Sequence, residues 1–146
     1  MFKNSYKNKR IIVTGHTGFK GSWLTIWLNQ LEAKKILGIS LNENQKYLNH
    51  HFSNNNKIIK SKYIDIQDLK KIKKIILNFK PDYIFHLAAQ PLVKSAYLNP
   101  VNTYQTNIIG TVNILESLRS LNNKCNAVFI TSDKCYKNLE KKIKYK

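Results

Sequence analysis

The chain has 146 residues, 42% of them hydrophobic, a length that suits one compact domain around one core. It holds no apolar run near the ~20 residues that cross a bilayer, and no apolar stretch follows the basic start Met1 to Arg10. No membrane span or secretion signal is therefore expected, and the cytoplasm is the expected address. The formal charge of +17 comes from 25 Lys and Arg against 8 Asp and Glu. Nearly all of that excess is lysine, scattered along the chain beside abundant Asn and Ile, whose codons are also A/T-rich. A nucleic-acid surface would cluster arginine with stacking aromatics, so no nucleic-acid partner is expected.

Ile11, Ile12 and Val13 form a short β-branched run ending at Thr14-Gly15, the pattern of a buried parallel strand entering a turn. From Ser22 to about Leu31, Trp23, Ile26, Trp27 and Leu31 recur at helical spacing, and both tryptophans are expected in the core. Ile36 to Leu41 reads as the second strand. Asn42 to Asn56 is polar, rich in Asn and without periodicity, which predicts a surface loop. A third strand is expected around Tyr63-Ile64, ending at Asp65. Leu69, Ile72, Ile76 and Phe79 then mark one face of a helix that Pro81 ends. Tyr83 to Leu87 is the fourth strand, with His86 expected as a packed histidine at its end. Asn99 as cap and Pro100 as first residue predict a long helix with the stripe Val101, Tyr104, Ile108, Leu115 and Leu118. Ala127 to Ile130 is the fifth strand. Cys125 and Cys135 flank it, with neither metal-knuckle spacing nor the number of a disulfide framework, and both read as reduced structural thiols. No metal site is expected.

Strands alternating with helices over short connections predict an α/β fold, a doubly wound parallel sheet of order 3-2-1-4-5. Between the first strand and first helix stand Gly15, Gly18 and Gly21, three of the five glycines, at G-x-x-G-x-x-G spacing. Gly15 permits the tight turn. Gly18 lets backbone N–H groups approach a diphosphate, and Gly21 lets the helix sit close to the sheet. The positive end of the helix then faces the diphosphate, so the motif predicts a dinucleotide site. Lys20 suits either a phosphate contact or plain solvation. The acidic residue that usually grips the adenosine ribose is replaced by Ser40 at the end of the second strand, with Glu43 slightly beyond. No arginine is nearby to favour a 2′-phosphate, so these residues leave NAD and NADP open. Asp65 suits either the adenine edge or a cap on the following helix.

Several segments resemble the extended short-chain dehydrogenase/reductase superfamily, with its Rossmann domain and NAD-dependent epimerases and dehydratases. They are Gly15-His16-Thr17-Gly18-Phe19-Lys20-Gly21-Ser22-Trp23-Leu24, His86-Leu87-Ala88-Ala89-Gln90-Pro91-Leu92-Val93, Thr106-Asn107 with Gly110-Thr111, and Ile130-Thr131-Ser132-Asp133-Lys134-Cys135-Tyr136. The last is similar to the CDP-glucose 4,6-dehydratase family in particular, since dTDP-glucose dehydratases carry Thr-Asp-Glu there. The resemblance implies NAD as a tightly held hydride carrier and a nucleotide-sugar substrate, in a complete enzyme that is a homo-oligomer. It implies cofactor contacts at Gly15, Thr17, Gly18, Phe19, Gly21, Asp65, Ile66, Ala88, Ala89, Gln90 and Asn107. By the same resemblance Ser132 hydrogen-bonds the C4 oxygen of the sugar, Asp133 protonates the departing C6 hydroxyl, and Lys134 acts at C5.

One departure matters. The superfamily places a Tyr-x-x-x-Lys pair on the next helix, where the tyrosine removes the C4 hydroxyl proton. Tyr136 is followed four places on by Glu140, and Tyr145 has only Lys146 behind it. The expectation is therefore an incomplete dinucleotide-binding domain over residues 1–146, ending after about the fifth strand, without the sugar-binding region and inactive alone. Two other readings stay open: a different extended dehydrogenase such as a sugar-nucleotide epimerase, and a non-catalytic nucleotide-binding module.

Overall fold

The computed structural model describes residues 4–41 and 58–132. In chain order these form β1 (Arg10–Thr14), α1 (Phe19–Gln30), β2 (Lys35–Ser40), β3 (Ile59–Tyr63), α2 (Leu69–Phe79) and β4 (Tyr83–His86). There follow α3 (Val93–Leu98), α4 (Pro100–Tyr104), a π-turn (Gln105–Ile109), α5 (Gly110–Arg119) and β5 (Asn126–Phe129). The strands make one sheet of order β3-β2-β1-β4-β5, every neighbour parallel. That is the doubly wound order expected from the alternation of elements.

β1 is the middle strand, and its Ile11, Ile12 and Val13 are fully buried. Strand periodicity divides the apolar residues between two layers. Ile12, Leu37, Ile39 and Ile84 pack with Ile72 and Ile76 of α2, Ile114 of α5 and Ile66. Ile11, Val13, Ile36, Ile59 and Phe85 pack on the other face with Leu28 of α1 and Ala33. Each fully buried isoleucine contributes roughly 1.5–3 kcal/mol of transfer free energy, so the two clusters hold the sheet between its helices.

α2 spans the expected stripe and ends before Pro81, while its cap, Asp68, was not singled out in the sequence. The Asp68 carboxylate accepts the Lys71 N–H at 3.0 Å as N-cap. Lys80 closes the helix in the left-handed region at φ 51°, just before Pro81.

Three expectations are corrected. Trp23 and Trp27 are not in the core: they are 54% and 44% exposed, while Gly21, Ser22, Thr25 and Leu28 face inward. Small inward residues let α1 lie close to the sheet, which leaves no room for an indole there. The long helix after Pro100 is interrupted by the π-turn, which shifts the helical phase. Gly110, Asn113, Ile114 and Ser117 become the buried face, and Val101, Tyr104, Ile108 and Leu115 of the expected stripe are exposed. β3 begins at Ile59 and is over by Tyr63, earlier than expected, because Ile59 pairs with buried Ile36. α3 had no counterpart in the sequence reading. Asn42 to Asn56 lies outside the described residues, and no described helix is long and apolar enough to cross a membrane.

Candidate dinucleotide site

The turn from β1 into α1 brings three glycines together for different reasons. Gly15 sits at φ 71°, where a side chain is strained, and a Cβ there would lie 2.8 Å from the Ala88 nitrogen. A Cβ on Gly21 would run into the Gly15 carbonyl and lie 2.8 Å from His16 Cα. The fold itself requires both glycines. Gly18 differs: its φ of −71° suits any residue, and its Cβ would meet only the Gly15 oxygen at 3.4 Å, an ordinary contact.

Gly18 is also the N-cap of α1, which has no side-chain cap and no acidic residue in its first turn. Among the described residues no side chain caps this helix N-terminus, and its exposed approach runs past a residue that the fold does not require to be glycine. A diphosphate drawn to those N–H groups does require it, so the turn fits a dinucleotide.

The flanking residues shape the turn more than they extend from it. Thr17 is buried, and its N–H and hydroxyl donate to Ser40 Oγ at 3.3 and 2.8 Å. Ser40, which stands where an acidic ribose partner is usual, therefore spends its oxygen inside the protein. It also meets His16 Nδ1 at 3.0 Å, and His16 Nε2 meets Ser61 Oγ at 2.8 Å. Gly38 is required because a Cβ would enter the His16 ring. Burial lowers the His16 pKa, opposed by a bond to the Ile39 carbonyl. The packing of His16 with Gly38 and Ser61 was not read from the sequence, where His16 stood only as an unassigned place in the glycine motif. Phe19 is 68% exposed at the start of α1, and Glu43 lies outside the described residues.

The loop after β4 is held by a chain of hydrogen bonds. Thr14 Oγ1 meets His86 Nδ1 at 2.7 Å and accepts the N–H groups of Leu87 and Ala88, each at 3.2 Å. His86 Nε2 meets Thr111 Oγ1 at 3.1 Å, and that hydroxyl donates to the Asn107 carbonyl at 2.7 Å. Asn107, in the π-turn, clamps Gln90 by its backbone: Oδ1 accepts the Gln90 N–H at 2.8 Å and Nδ2 donates to the Gln90 carbonyl at 3.1 Å. The Gln90 side chain donates to Thr103 Oγ1 at 3.0 Å. His86 is the packed histidine expected, and burial takes its pKa down to about 4. Both described site histidines are thus neutral, bonded through each ring nitrogen, and poor general bases near pH 7.

Asp65 does not cap α2, a role Asp68 takes; its Oδ1 accepts the Gln67 N–H at 2.9 Å and fixes the bend after β3. Ile66 is buried against Gly110, and Asn113 donates to the carbonyls of Ile66 and Gln67, both at 2.9 Å. Asn113 was not singled out in the sequence, because its place on the buried face beside Gly110, Ile114 and Ser117 shows only once the π-turn fixes the phase.

The Ile130 N–H donates to the His86 carbonyl at 3.0 Å, which carries the chain along β4 to exposed Ser132 at the carboxyl end of the sheet. Gly15, Ala88, Gln90, Asn107 and Ser132 thus share one end of the sheet, where doubly wound folds take ligands. Ala89 is exposed beside them. Asp133, Lys134, Cys135 and Tyr136 lie outside the described residues. Cys125 is a free, half-buried thiol whose pKa is pushed up to about 11 by burial and by the Asp82 carboxylate. Among the described residues no group of three His, Cys, Asp or Glu is placed to hold a metal ion.

The chain is 44% identical over 138 residues to the CDP-glucose 4,6-dehydratase of Salmonella typhimurium, covering 94% of this chain and 38% of that enzyme. An epimerase structure from Methanothermobacter thermautotrophicus superposes with a TM-score of 0.82 at 26% identity, over 98% of this chain and 41% of its own. The Bordetella bronchiseptica enzyme WbmF, solved with NAD+, shares the fold at 21% identity, with a TM-score of 0.75 over 90% of this chain and 41% of its own. The chain thus spans about two fifths of the length of these relatives. Residues 12–145 match the family described as GDP-mannose 4,6 dehydratase, and with the sheet order and glycine turn in place the chain belongs to that family.

Proposed function

We propose that this chain forms the NAD-binding part of a sugar-nucleotide 4,6-dehydratase acting on CDP-glucose. The observation that carries the reading is the Gly15 to Gly21 turn, in which Gly18 alone is free to take a side chain in the fold yet stands in the path of a diphosphate. The similarity to the Salmonella typhimurium enzyme supplies the substrate class.

When bound, NAD supplies a reversible store for the hydride that leaves C4 of the sugar and returns to C6. The protein residues do the rest. Backbone N–H groups at the start of α1 take the diphosphate, and the Thr14, His86, Thr111 and Asn107 chain fixes the Ala88 to Gln90 loop beside it. Ser132 hydrogen-bonds the C4 oxygen, Asp133 gives a proton to the departing C6 hydroxyl, and Lys134 assists loss of the C5 proton. These 146 residues contain no Tyr-x-x-x-Lys, so no tyrosine placed by that motif takes the C4 hydroxyl proton.

The test is a chimera in which this chain replaces the matching 138 residues of the Salmonella typhimurium enzyme. The chimera is expected to form the 4-keto-6-deoxy product from CDP-glucose, and Ser132→Ala in it to lower kcat. A folded, NAD-binding chimera that epimerises the sugar instead would overturn the dehydratase reading.

A further inference from the structure

A second concave site lies away from the glycine turn. It is a groove of about 520 Å³ between α2 and the edge of the sheet, lined by five cations: Arg10, Lys35, Lys60, Lys62 and Lys74. Leu37, Ile75 and Phe79 form much of its floor. Among the described residues no carboxylate lines it.

The convergence follows from strand periodicity. Arg10 lies two residues from Ile12, and Lys35 two from Leu37, both inward residues of the α2 face. Parallel pairing sets Lys60 beside Leu37 and Lys62 beside Ile39, which puts both lysines on that same face. Lys74 comes from α2 itself. Lysines on an edge strand are a common defence against edge-to-edge pairing, which accounts for Lys60 and Lys62. It does not account for Arg10, Lys35 and Lys74, which arrive from three other elements at the same hollow.

None of the five makes an ion pair with a described carboxylate, although Lys7, Lys71 and Lys73 elsewhere do. Arg10 has its guanidinium carbon 5.0 Å from the Phe79 ring centre, which holds it at the groove wall. Like charges gathered without a counter-charge repel, and a multiply charged anion relieves that repulsion. The volume falls within the ~300–1,000 Å³ range of small-molecule sites. We propose that this groove binds a small polyphosphate anion, carried by inorganic triphosphate or by the tail of a nucleoside triphosphate, separately from the dinucleotide site.

Calorimetry of the 146-residue chain with inorganic triphosphate and with ATP, at physiological salt and with NAD saturating, tests this. Both probes are expected to bind with one-to-one stoichiometry. Comparable affinity for the two assigns recognition to the phosphates, and tighter ATP binding assigns part of it to the nucleoside. Lys60→Gln with Lys74→Gln should weaken binding by at least about tenfold, whereas Lys34→Gln with Lys124→Gln, an equal charge loss outside the groove, should change it less than about twofold. Equal losses in the two double variants would mean that net charge alone attracts the anion, and would overturn the site. So would saturable binding of duplex DNA with no saturable triphosphate binding. Circular dichroism of each variant confirms that it is folded.

Discussion

Thr14 Oγ1 and His86 Nδ1 lie 2.7 Å apart, and the bonds around them fix where the histidine proton sits. Thr111 Oγ1 donates to the Asn107 carbonyl, so it accepts from His86 Nε2, which therefore carries the hydrogen. Nδ1 is then an acceptor for the Thr14 hydroxyl, whose oxygen takes the Leu87 and Ala88 N–H groups. A second proton on the ring would turn donor against donor at Thr14.

Stability should accordingly depend on pH through His86. Its folded pKa of about 4 lies below the ordinary 6.5, so between those values the unfolded chain binds more protons. This contribution is complete above pH 6.5 and is lost as pH falls toward 4, up to about 3 kcal/mol. His16, also lowered by burial, acts in the same direction. Urea unfolding from pH 7.5 to 4 should show the decline, and His86→Asn should flatten it while lowering stability at pH 7. Parallel curves for parent and variant would show that another group governs the dependence.

The three motif glycines should separate into two classes. Gly15→Ala and Gly21→Ala are expected to destabilise the fold by about 1–3 kcal/mol or more, from left-handed strain at one and backbone overlap at the other. Gly18→Val should leave the melting temperature within a few degrees and abolish NAD binding by calorimetry. Unchanged NAD affinity in Gly18→Val would remove the diphosphate from this turn.

Asn107 holds Gln90 with one donor and one acceptor, so its variants should grade. Asn107→Ala loses both bonds to the Gln90 backbone and should cost about 1–3 kcal/mol. Asn107→Asp keeps the acceptor and should fall between. Hydrogen exchange at the Gln90 amide is the local readout: it should quicken in the alanine variant and stay slow in the aspartate variant. Protection that persists in Asn107→Ala would show that the loop is held some other way.

The isolated chain should not turn over CDP-glucose. A positioned general base is worth ~10²–10⁴-fold, and the two described site histidines are both neutral and engaged. Incubation with CDP-glucose and NAD, followed by assay for the 4-keto product, checks this beside the active chimera. Turnover at the rate of the chimera would mean that a residue in this chain does the tyrosine's work.

Trp23 and Ile76 should exchange the roles that their sizes suggest. Trp23→Gln on the exposed side of α1 is expected to change stability by less than about 1 kcal/mol, and Ile76→Ala in the core to cost about 2–5 kcal/mol. Chemical denaturation of both variants distinguishes this from a tryptophan-centred core.

The sheet order, the Leu69 to Phe79 helix and the glycine turn were legible in the sequence because each rests on local chemistry. A β-branched run makes a buried strand, proline stops a helix, and glycine spacing marks a turn at which backbones approach. The stripe from Val101 to Leu115 misled for two reasons: α4 buries no residue at all, so Val101 and Tyr104 face outward, and the π-turn rotates the helix after it, which turns Leu115 out without any periodicity in the sequence announcing the extra residue. Trp23 and Trp27 misled because helical spacing identifies a face without saying which neighbour it meets, and the sheet took the small residues instead. The hydrogen-bond chain from Thr14 through His86 and Thr111 to Asn107 joins residues up to 72 and 25 positions apart, and the groove cations come from four elements. Those groupings depend on strand register and helix phase, long-range quantities that only the packed tertiary structure decides.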